Sequence, residues 1–351
     1  MPQESGPWGV RPGGEPPAEP GPRPVPPAPA GLRSDFLAAQ RANRRNTLWL
    51  VVALLLLGAG LGYVVGLAID VAGRSAPLAA PSPLGVVLAA ALVGIGAVAS
   101  AVTFLAGDRV ILRLANAREV TPDEEPVLHN VVEEMAIAAG LPKPRVAVIE
   151  TDSPNAFATG MRPEAAAIGV TRGLLKSLNR EELQGVIGHE MSHIANWDTR
   201  YMTAVGILVG LIALVSDAVL RGGTRMIGFG AAGRRGGSRK GGGGGAVLIV
   251  LVLVVFAILA PIAAQLVRFA VSRQREYLAD ASSVQLTRNP VGLIGALRKL
   301  AASAEPFKGA NRATQHMFIV NPVRSFGERT SALFATHPPI EARIRRLQNL
   351  G

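Results

Sequence analysis

The chain has 351 residues, of which 49% are hydrophobic and 17% charged, and its mean hydropathy of +0.31 is typical of proteins that enter a bilayer. Its formal net charge is +11, but aromatic residues make up only 5% and no nucleic-acid-binding module is recognisable, so we expect no nucleic-acid partner and assign the charge to lipid headgroups and membrane topology. The sequence contains no cysteine, which excludes disulfide bonds and thiolate metal ligands.

The N-terminal third is predicted to be a tail followed by a membrane anchor. Residues 1–34 are rich in proline and glycine, and such a segment buries too little apolar surface to offset its ordering entropy, so we expect disorder there. Residues 35–107 contain two apolar runs, 47–69 and 84–106. Each run is long enough to cross the hydrocarbon core as a helix. The sequence therefore predicts a two-helix anchor over 35–107.

Basic residues near these runs predict the orientation of the chain. Arg41, Arg44 and Arg45 precede the first run, whereas the short loop between the two runs carries only Arg74. Because positively charged loops stay on the cytoplasmic side, we expect the N-terminus and the region after the second run to lie in the cytoplasm.

Residues 108–202 are predicted to be a mixed α and β region. A helix ending at Gly140 carries His129, which we interpret as an ordinary exposed histidine rather than a metal ligand. Three β segments follow, at 146–149, 155–159 and 165–170, because these stretches have β character and turn residues separate the last two.

A helix with a metal-binding pattern follows these strands. Asn179 is a suitable N-cap with Glu182 three residues later, and the helix then carries His189, Glu190 and His193 in an HExxH pattern. Residues i and i+4 lie on one helix face, so both imidazoles can bind one metal ion while Glu190 reaches the attacking water. The pattern predicts zinc-assisted peptide hydrolysis. The alternative is a structural helix with polar i, i+4 pairs.

A short strand close to such a helix can bind an extended peptide by main-chain pairing. The segment that begins Asn155, Ala156, Phe157 is our candidate for this substrate-binding edge strand.

Residues 203–270 are predicted to be a hydrophobic hairpin with apolar runs at 203–220 and 246–270. The first run has 18 residues and contains Asp217, so a buried helix is an alternative to a membrane span. The two histidines of the HExxH pattern precede the hairpin, and the third metal ligand is expected after it. Both ends of the hairpin must therefore lie in one compartment, so either both runs cross the membrane or neither does. The loop 221–245 carries six basic residues and no acid, which opposes an external location, and the sequence leaves a re-entrant hairpin open.

Residues 271–351 are predicted to complete the site. A catalytic zinc ion takes three protein ligands, and without cysteine the third must be a histidine or a carboxylate. Glu276 and Asp280 are four residues apart on one predicted helix face, so one can bind the metal while the other orients a ligand imidazole. The alternative is a solvated charged helix face.

At this point the chain resembles the HtpX family of bacterial membrane zinc metalloproteases, which is related to the CAAX prenyl proteases. The resemblance covers about residues 36–350 and rests on motifs in the family's order, at 152–160, 189–200, 272–280 and 336–341. The tail before residue 36 departs from the family's usual pattern.

The resemblance implies a role for each site residue. It implies that His189, His193 and Glu276 bind one zinc ion and that Glu190 is the catalytic base. Asp280 would hold His189 or His193 in the correct tautomer. His337 is a candidate donor to the developing oxyanion, with a simple helix-entry role before Pro338 as the alternative.

The expected fold class is a mainly α membrane protein, with four apolar, transmembrane helices and a cytoplasmic α+β zincin-type metalloprotease domain that contains a small sheet. This domain would have two parts, 108–202 and 271–351. We expect a multi-pass protein of the bacterial inner membrane whose active site faces the cytoplasm.

By resemblance, its substrates would be polypeptides, namely misfolded or damaged membrane proteins, and the sequence assigns no oligomeric state. The alternative function is a non-catalytic metal-binding membrane protein, such as a chaperone-like or transport component. Glu190 argues against it, because a protein that only holds metal needs no base there.

Overall fold

The computed structural model describes residues 30–72, 81–209, 273–303, 314, 316–320 and 338–349. Its helices are α1 (Ala30–Ala72), α2 (Pro83–Leu114), α3 (Pro126–Ala139), α4 (Arg172–Ser177), α5 (Arg180–Ala195), α6 (198–209), α7 (Arg273–Thr287), α8 (Pro290–Ala302) and α9 (Ile340–Gln348). Its strands are β1 (Ala117–Glu119), β2 (Arg145–Ile149), β3 (Ala156–Thr159) and β4 (Ala167–Thr171).

Helices α1 and α2 are each long and apolar enough to cross a membrane over 40–71 and 83–114, as the sequence predicted for this region. They pack closely because glycines line their contact: a Cβ atom added at Gly66 would lie 2.4 Å from the Cα atom of Gly85. Small residues at such contacts are typical of membrane helix pairs. Helix α2 is distorted at Ala106, where the predicted apolar run ends, and continues to Leu114.

The four strands form one mixed sheet in the order β1-β2-β4-β3. Strand β2 is parallel to β4, whereas β1 and β3 run antiparallel to their neighbours. Strand β3 is therefore at the edge of the sheet, beside the helix that carries the HExxH pattern. The small mixed sheet in a mostly helical chain agrees with the predicted fold class.

Both faces of the sheet are covered, so its strands are buried on both sides. Val146, Ile168 and the other residues of one face pack against α3 and α5, and this cluster forms the main core. The opposite face includes Ala147 and Phe157 and contacts the end of α2 and the start of α6. The last turns of α2, one of the two helices long and apolar enough to cross a membrane, thus cover one face of the sheet.

Some predicted segments differ from the structure or lie beyond it. Helix α1 begins at Ala30, within the segment 1–34 for which the sequence predicts disorder, and residues 1–29 lie outside the described residues. Of the predicted hairpin, residues 203–209 belong to α6 and are buried, and residues 210–270 lie outside the described part.

The interpretation of His129 as an exposed residue is wrong. Its side chain is buried, and its Nε2 donates a hydrogen bond to the carbonyl oxygen of Val120 at 2.9 Å. The periodicity of α3 predicts which residues share a face, but the loop that packs over that face comes from outside the helix.

Candidate metal centre

Helix α5 starts at the capping box that the sequence predicted. The side chain of Asn179 accepts a hydrogen bond from the backbone N–H of Glu182 at 2.9 Å, and Glu182 accepts one from the backbone N–H of Asn179 at 2.8 Å. This reciprocal pair satisfies two N–H groups that a helix start otherwise leaves without partners. The helix that follows places the histidines on one face.

Three buried side chains converge between α5 and α7. The Nε2 atoms of His189 and His193 lie 3.3 Å apart. One carboxylate oxygen of Glu276 lies 3.7 Å from His189 Nε2, and the other lies 3.6 Å from His193 Nε2. All three side chains are almost fully buried. The three residues lie close enough together to hold one metal ion.

These separations fit a tetrahedral metal ion. Zinc binds nitrogen and oxygen ligands at about 2.0–2.2 Å, so two ligands at a tetrahedral angle lie about 3.4 Å apart. The donor set of two imidazoles and one carboxylate also suits zinc.

Carboxylates hold the other nitrogen of each imidazole. His189 Nδ1 lies 3.0 Å from Asp280 Oδ1, and His193 Nδ1 lies 3.0 Å from Asp198 Oδ2. An Nδ1–H that donates to a carboxylate leaves the Nε2 lone pair available for a metal. The sequence had left open which histidine Asp280 contacts, and it had given Asp198 no role.

Burial and neighbouring charges shift the pKa values of the two histidines in opposite directions. Burial lowers the pKa of His189, and the positive charge of Arg343 lowers it further. Burial also lowers the pKa of His193, but the hydrogen bond with Asp198 and the charge of Glu276 outweigh it and raise the pKa to about 9. A bound cation favours the neutral form of both rings, because protons and metal compete for Nε2.

Glu190 is buried beside the cluster and faces strand β3. Burial raises the pKa of its carboxyl group to about 7, and the charge of Glu276 acts in the same direction. His193, Arg343 and a hydrogen bond from the backbone of Ala158 act in the opposite direction.

Arg343 in α9 is a further residue of the site, and the sequence interpretation missed it. Its guanidinium is fully buried and donates to both oxygens of Asp280, at 2.8 and 2.6 Å. It also lies 3.5 Å from Glu276. A sequence signal existed, because Arg343 shares the buried face of α9 with Ile340 and Leu347. A lone cation on an apolar helix face indicates a buried partner of opposite charge.

Comparison with known proteins shows the family. A model of Peptidase family M48 matches residues 122–350, which is more than half of the chain. The chain belongs to peptidase family M48. Relatives named "Protease HtpX homolog" include one from Streptococcus gordonii, 42% identical over 88% of this chain and 98% of the relative, and one from Listeria innocua, 44% identical over the same shares. Another, from Thermoanaerobacter pseudethanolicus, is 46% identical over 69% of this chain and 78% of the relative.

A solved structure, the crystal structure of S. mikatae Ste24p, matches 90% of this chain and 67% of its own, with a TM-score of 0.43 and 16% identity.

The M48 protein is therefore a membrane-associated metalloprotease, and its substrates are polypeptides. Family membership does not favour the alternative of a non-catalytic metal-binding protein. The predicted resemblance to HtpX proteases is confirmed.

The predicted substrate-binding strand already has a neighbour on its outer side. The backbone N–H of Ile319 donates to the carbonyl of Ala156, and the side-chain amide of Asn155 exchanges hydrogen bonds with the backbone of Val320. Phe157 is buried against Phe318, with ring centroids 5.2 Å apart. In the same strand, the backbone of Ala158 forms a hydrogen bond with the carboxyl group of Glu190.

His337 lies outside the described residues. His316 is buried, and its Nε2 donates to the carbonyl of Met202 at 3.1 Å.

Proposed function

We propose that this M48 protein is a zinc-dependent endopeptidase of the bacterial inner membrane that cleaves misfolded or damaged membrane proteins. One observation carries the proposal: the three potential ligands are buried together, and each imidazole has its Nδ1 on a carboxylate. That arrangement presents two Nε2 lone pairs and one carboxylate to a single ion. The names of the HtpX relatives support a protease, and the quality-control role is what the resemblance to the HtpX family implies.

Zinc is the metal that best fits the residues present. A set of two histidines and one glutamate with an open position is known for catalytic zinc, although non-haem iron also uses two histidines and a carboxylate. Hydrolysis needs a base beside the metal, and Glu190 supplies it directly after the first ligand. When held by His189, His193 and Glu276, zinc would supply Lewis acidity to the scissile carbonyl and would lower the pKa of water toward neutrality.

The side chains of this chain then perform the proton transfers. Glu190 accepts a proton from the attacking water and delivers it to the leaving amine. Asp280 and Asp198 keep the two imidazoles in the required tautomer. We assign His337 as the donor to the developing oxyanion, and we expect His337→Ala to lower kcat about 100-fold without loss of zinc.

We also propose that substrate pairs with the outer edge of β3. Because Asn155 and Phe157 bond to β4, the backbone groups of Ala156 and Ala158 point outward. The backbone N–H of Ile319 already donates to the carbonyl of Ala156. The segment Asn155, Ala156, Phe157 is therefore the covered end of this edge. Ala158 is the next residue whose backbone faces away from β4, and it adjoins Glu190, so we propose that an extended peptide approaches the edge there.

The decisive experiment compares the full-length protein in detergent with its Glu190→Gln variant. We expect the variant to keep about one zinc ion per chain and to lose cleavage of an unfolded protein substrate by about 100- to 10,000-fold, because only the base is lost. Zinc content by mass spectrometry separates this result from loss of metal. The matched control is Glu164→Gln, which changes an exposed glutamate. Full activity in Glu190→Gln would rule out the proposed mechanism.

For the topology, we propose a two-helix anchor over 35–107 and a cytoplasmic protease domain made of 108–202 and 271–351. The hydrophobic segment 203–270 would separate the two parts. The proposal is supported by Arg41, Arg44 and Arg45 at the start of the first span. A tag in loop 221–245, probed in intact cells, tests whether the hairpin crosses the membrane. A cytoplasmic tag would indicate a re-entrant hairpin, and an external tag would indicate four spans.

A further inference from the structure

The first membrane helix contacts the metal centre through one buried amide. Asn43 lies in α1, just before the apolar run that starts at residue 47, and its side chain is only 4% exposed. Its Nδ2 donates to Asp198 Oδ1 at 2.7 Å and to the backbone carbonyl of Asn196 at 3.1 Å. More than 150 residues separate Asn43 from these partners along the chain.

Asp198 uses its two oxygens for different partners. Oδ1 accepts the hydrogen bond from Asn43, and Oδ2 lies 3.0 Å from His193 Nδ1. A carboxylate held at one oxygen cannot rotate freely about its Cβ–Cγ bond, so the position of the other oxygen is fixed. The orientation of the His193 imidazole therefore depends on the hydrogen bond from Asn43.

Other contacts hold the same turn against α1. The side chain of Gln40 donates to the carbonyl of Ala195 at 2.7 Å, and the guanidinium of Arg44 lies 4.0 Å from the ring centroid of Trp197. Trp197 itself has a positive φ of 61°, which lets the chain turn from α5 directly into α6. Helix α1 thus packs against the whole connection between the HExxH helix and Asp198.

Helix α7, which carries the third potential ligand, contacts the same amide. Arg275 Nη1 lies 3.5 Å from Asn43 Oδ1 and 3.8 Å from Asp198 Oδ1, and the next residue in α7 is Glu276. Asn43 is the residue at which the anchor, the HExxH helix and the helix of the third potential ligand meet.

We propose that Asn43 is a positioning residue of the metal centre, which acts through Asp198 on His193 and so couples the membrane anchor to the active site. The proposal rests on the proposed function, because it requires His193 to bind zinc. Its physical basis is that groups that orient a metal ligand contribute to metal affinity. An anchor that only held the protein in the membrane would leave zinc binding unchanged when this amide is removed.

The test measures the metal itself in the full-length protein. Zinc affinity is obtained by competition with a chromophoric chelator, and ligand geometry from the visible spectrum of the cobalt(II)-substituted protein. We expect Asn43→Ala to weaken zinc binding about tenfold and to change the cobalt spectrum. The matched control is Asn46→Ala, because Asn46 is exposed one turn further along the same helix, and we expect it to leave both unchanged.

Asn43→Asp separates the loss of the hydrogen-bond donor from the loss of side-chain volume. It keeps the volume of the side chain but replaces the donor with a carboxylate beside Asp198, so we expect weaker zinc binding than in Asn43→Ala. If Asn43→Ala and Asn43→Asp lower the melting temperature but leave zinc affinity and the cobalt spectrum as in the wild type, Asn43 is only structural and the proposal is wrong.

A double-mutant cycle tests the route through Asp198. In the Asp198→Ala background, we expect Asn43→Ala to have little further effect on zinc affinity, because the proposed path to His193 through Asp198 is already gone. Full additivity would overturn the proposal. Neither result affects the proposed function, which depends on zinc binding and the activity of Glu190 in the protein with Asn43 intact.

Discussion

Arg343 and Asp280 form a fully buried ion pair with two hydrogen bonds, at 2.8 and 2.6 Å, behind the imidazole of His189. The pair brings α9, from the C-terminus, into the metal centre. Asp280 thereby has a fixed plane from which to accept the His189 Nδ1–H. The second carboxylate near Arg343 is Glu276, at 3.5 Å.

We predict that Arg343→Met destabilises the protein by about 3–5 kcal/mol, because it leaves buried carboxylates without their cation. Zinc affinity is also expected to fall, because Asp280 loses its orientation. Urea unfolding and chelator competition measure the two effects. Arg345→Met is the control, since Arg345 is exposed in the same helix. Equal stability of the two variants would show that the pair contributes nothing.

We predict that Asp198→Ala and Asp280→Ala each weaken zinc binding about 10- to 100-fold, because each removes the acceptor that fixes one imidazole. Chelator competition on the purified variants gives the affinities. Asp152→Ala is a suitable comparison, because Asp152 is an exposed carboxylate that pairs with the exposed Lys176. Unchanged affinity in Asp280→Ala would mean that His189 needs no such partner.

We predict that Glu276→Ala lowers the zinc content well below one ion per chain after dialysis, because it removes one of three ligands. Elemental analysis of the purified variant measures this directly. Glu276→Gln keeps the shape but not the charge, and we expect an intermediate content. A full zinc complement in Glu276→Ala would remove Glu276 from the ligand set.

We predict that Gly66→Ala destabilises the anchor by about 1–3 kcal/mol, because the new Cβ atom would overlap the backbone of Gly85 and force the helices apart. Thermal unfolding in detergent measures the effect. Gly60→Ala is the matched control in the same helix, where a Cβ atom meets nothing within 4 Å. This control is expected to be neutral or slightly stabilising, because alanine favours a helix over glycine. Similar melting temperatures for both variants would contradict close packing at Gly66.

Local patterns in the sequence predicted much of the fold and of the candidate site. The capping box at Asn179 and Glu182 gave the start of α5, and the four-residue spacing placed His189 and His193 on one face. The strands near 146–149, 155–159 and 165–170 were predicted within a few residues. The exposure of His129 was predicted wrongly, because burial depends on the loop that covers a helix face and not on the helix itself.

The sequence by itself determined the elements and the chemical types available: two apolar helices, an HExxH helix, and a cysteine-free set of histidine and carboxylate groups. The helices are set by interactions within one or two turns of chain, and the available side chains are read directly from the sequence. Only the tertiary structure decided that Asp280 contacts His189, that Asp198 contacts His193, and that Asn43 and Arg343 hold those carboxylates. Except for His193 and Asp198, which are five residues apart across the turn between α5 and α6, these contacts join residues that are distant in sequence. Packing between separate helices, not local periodicity, brings such residues together.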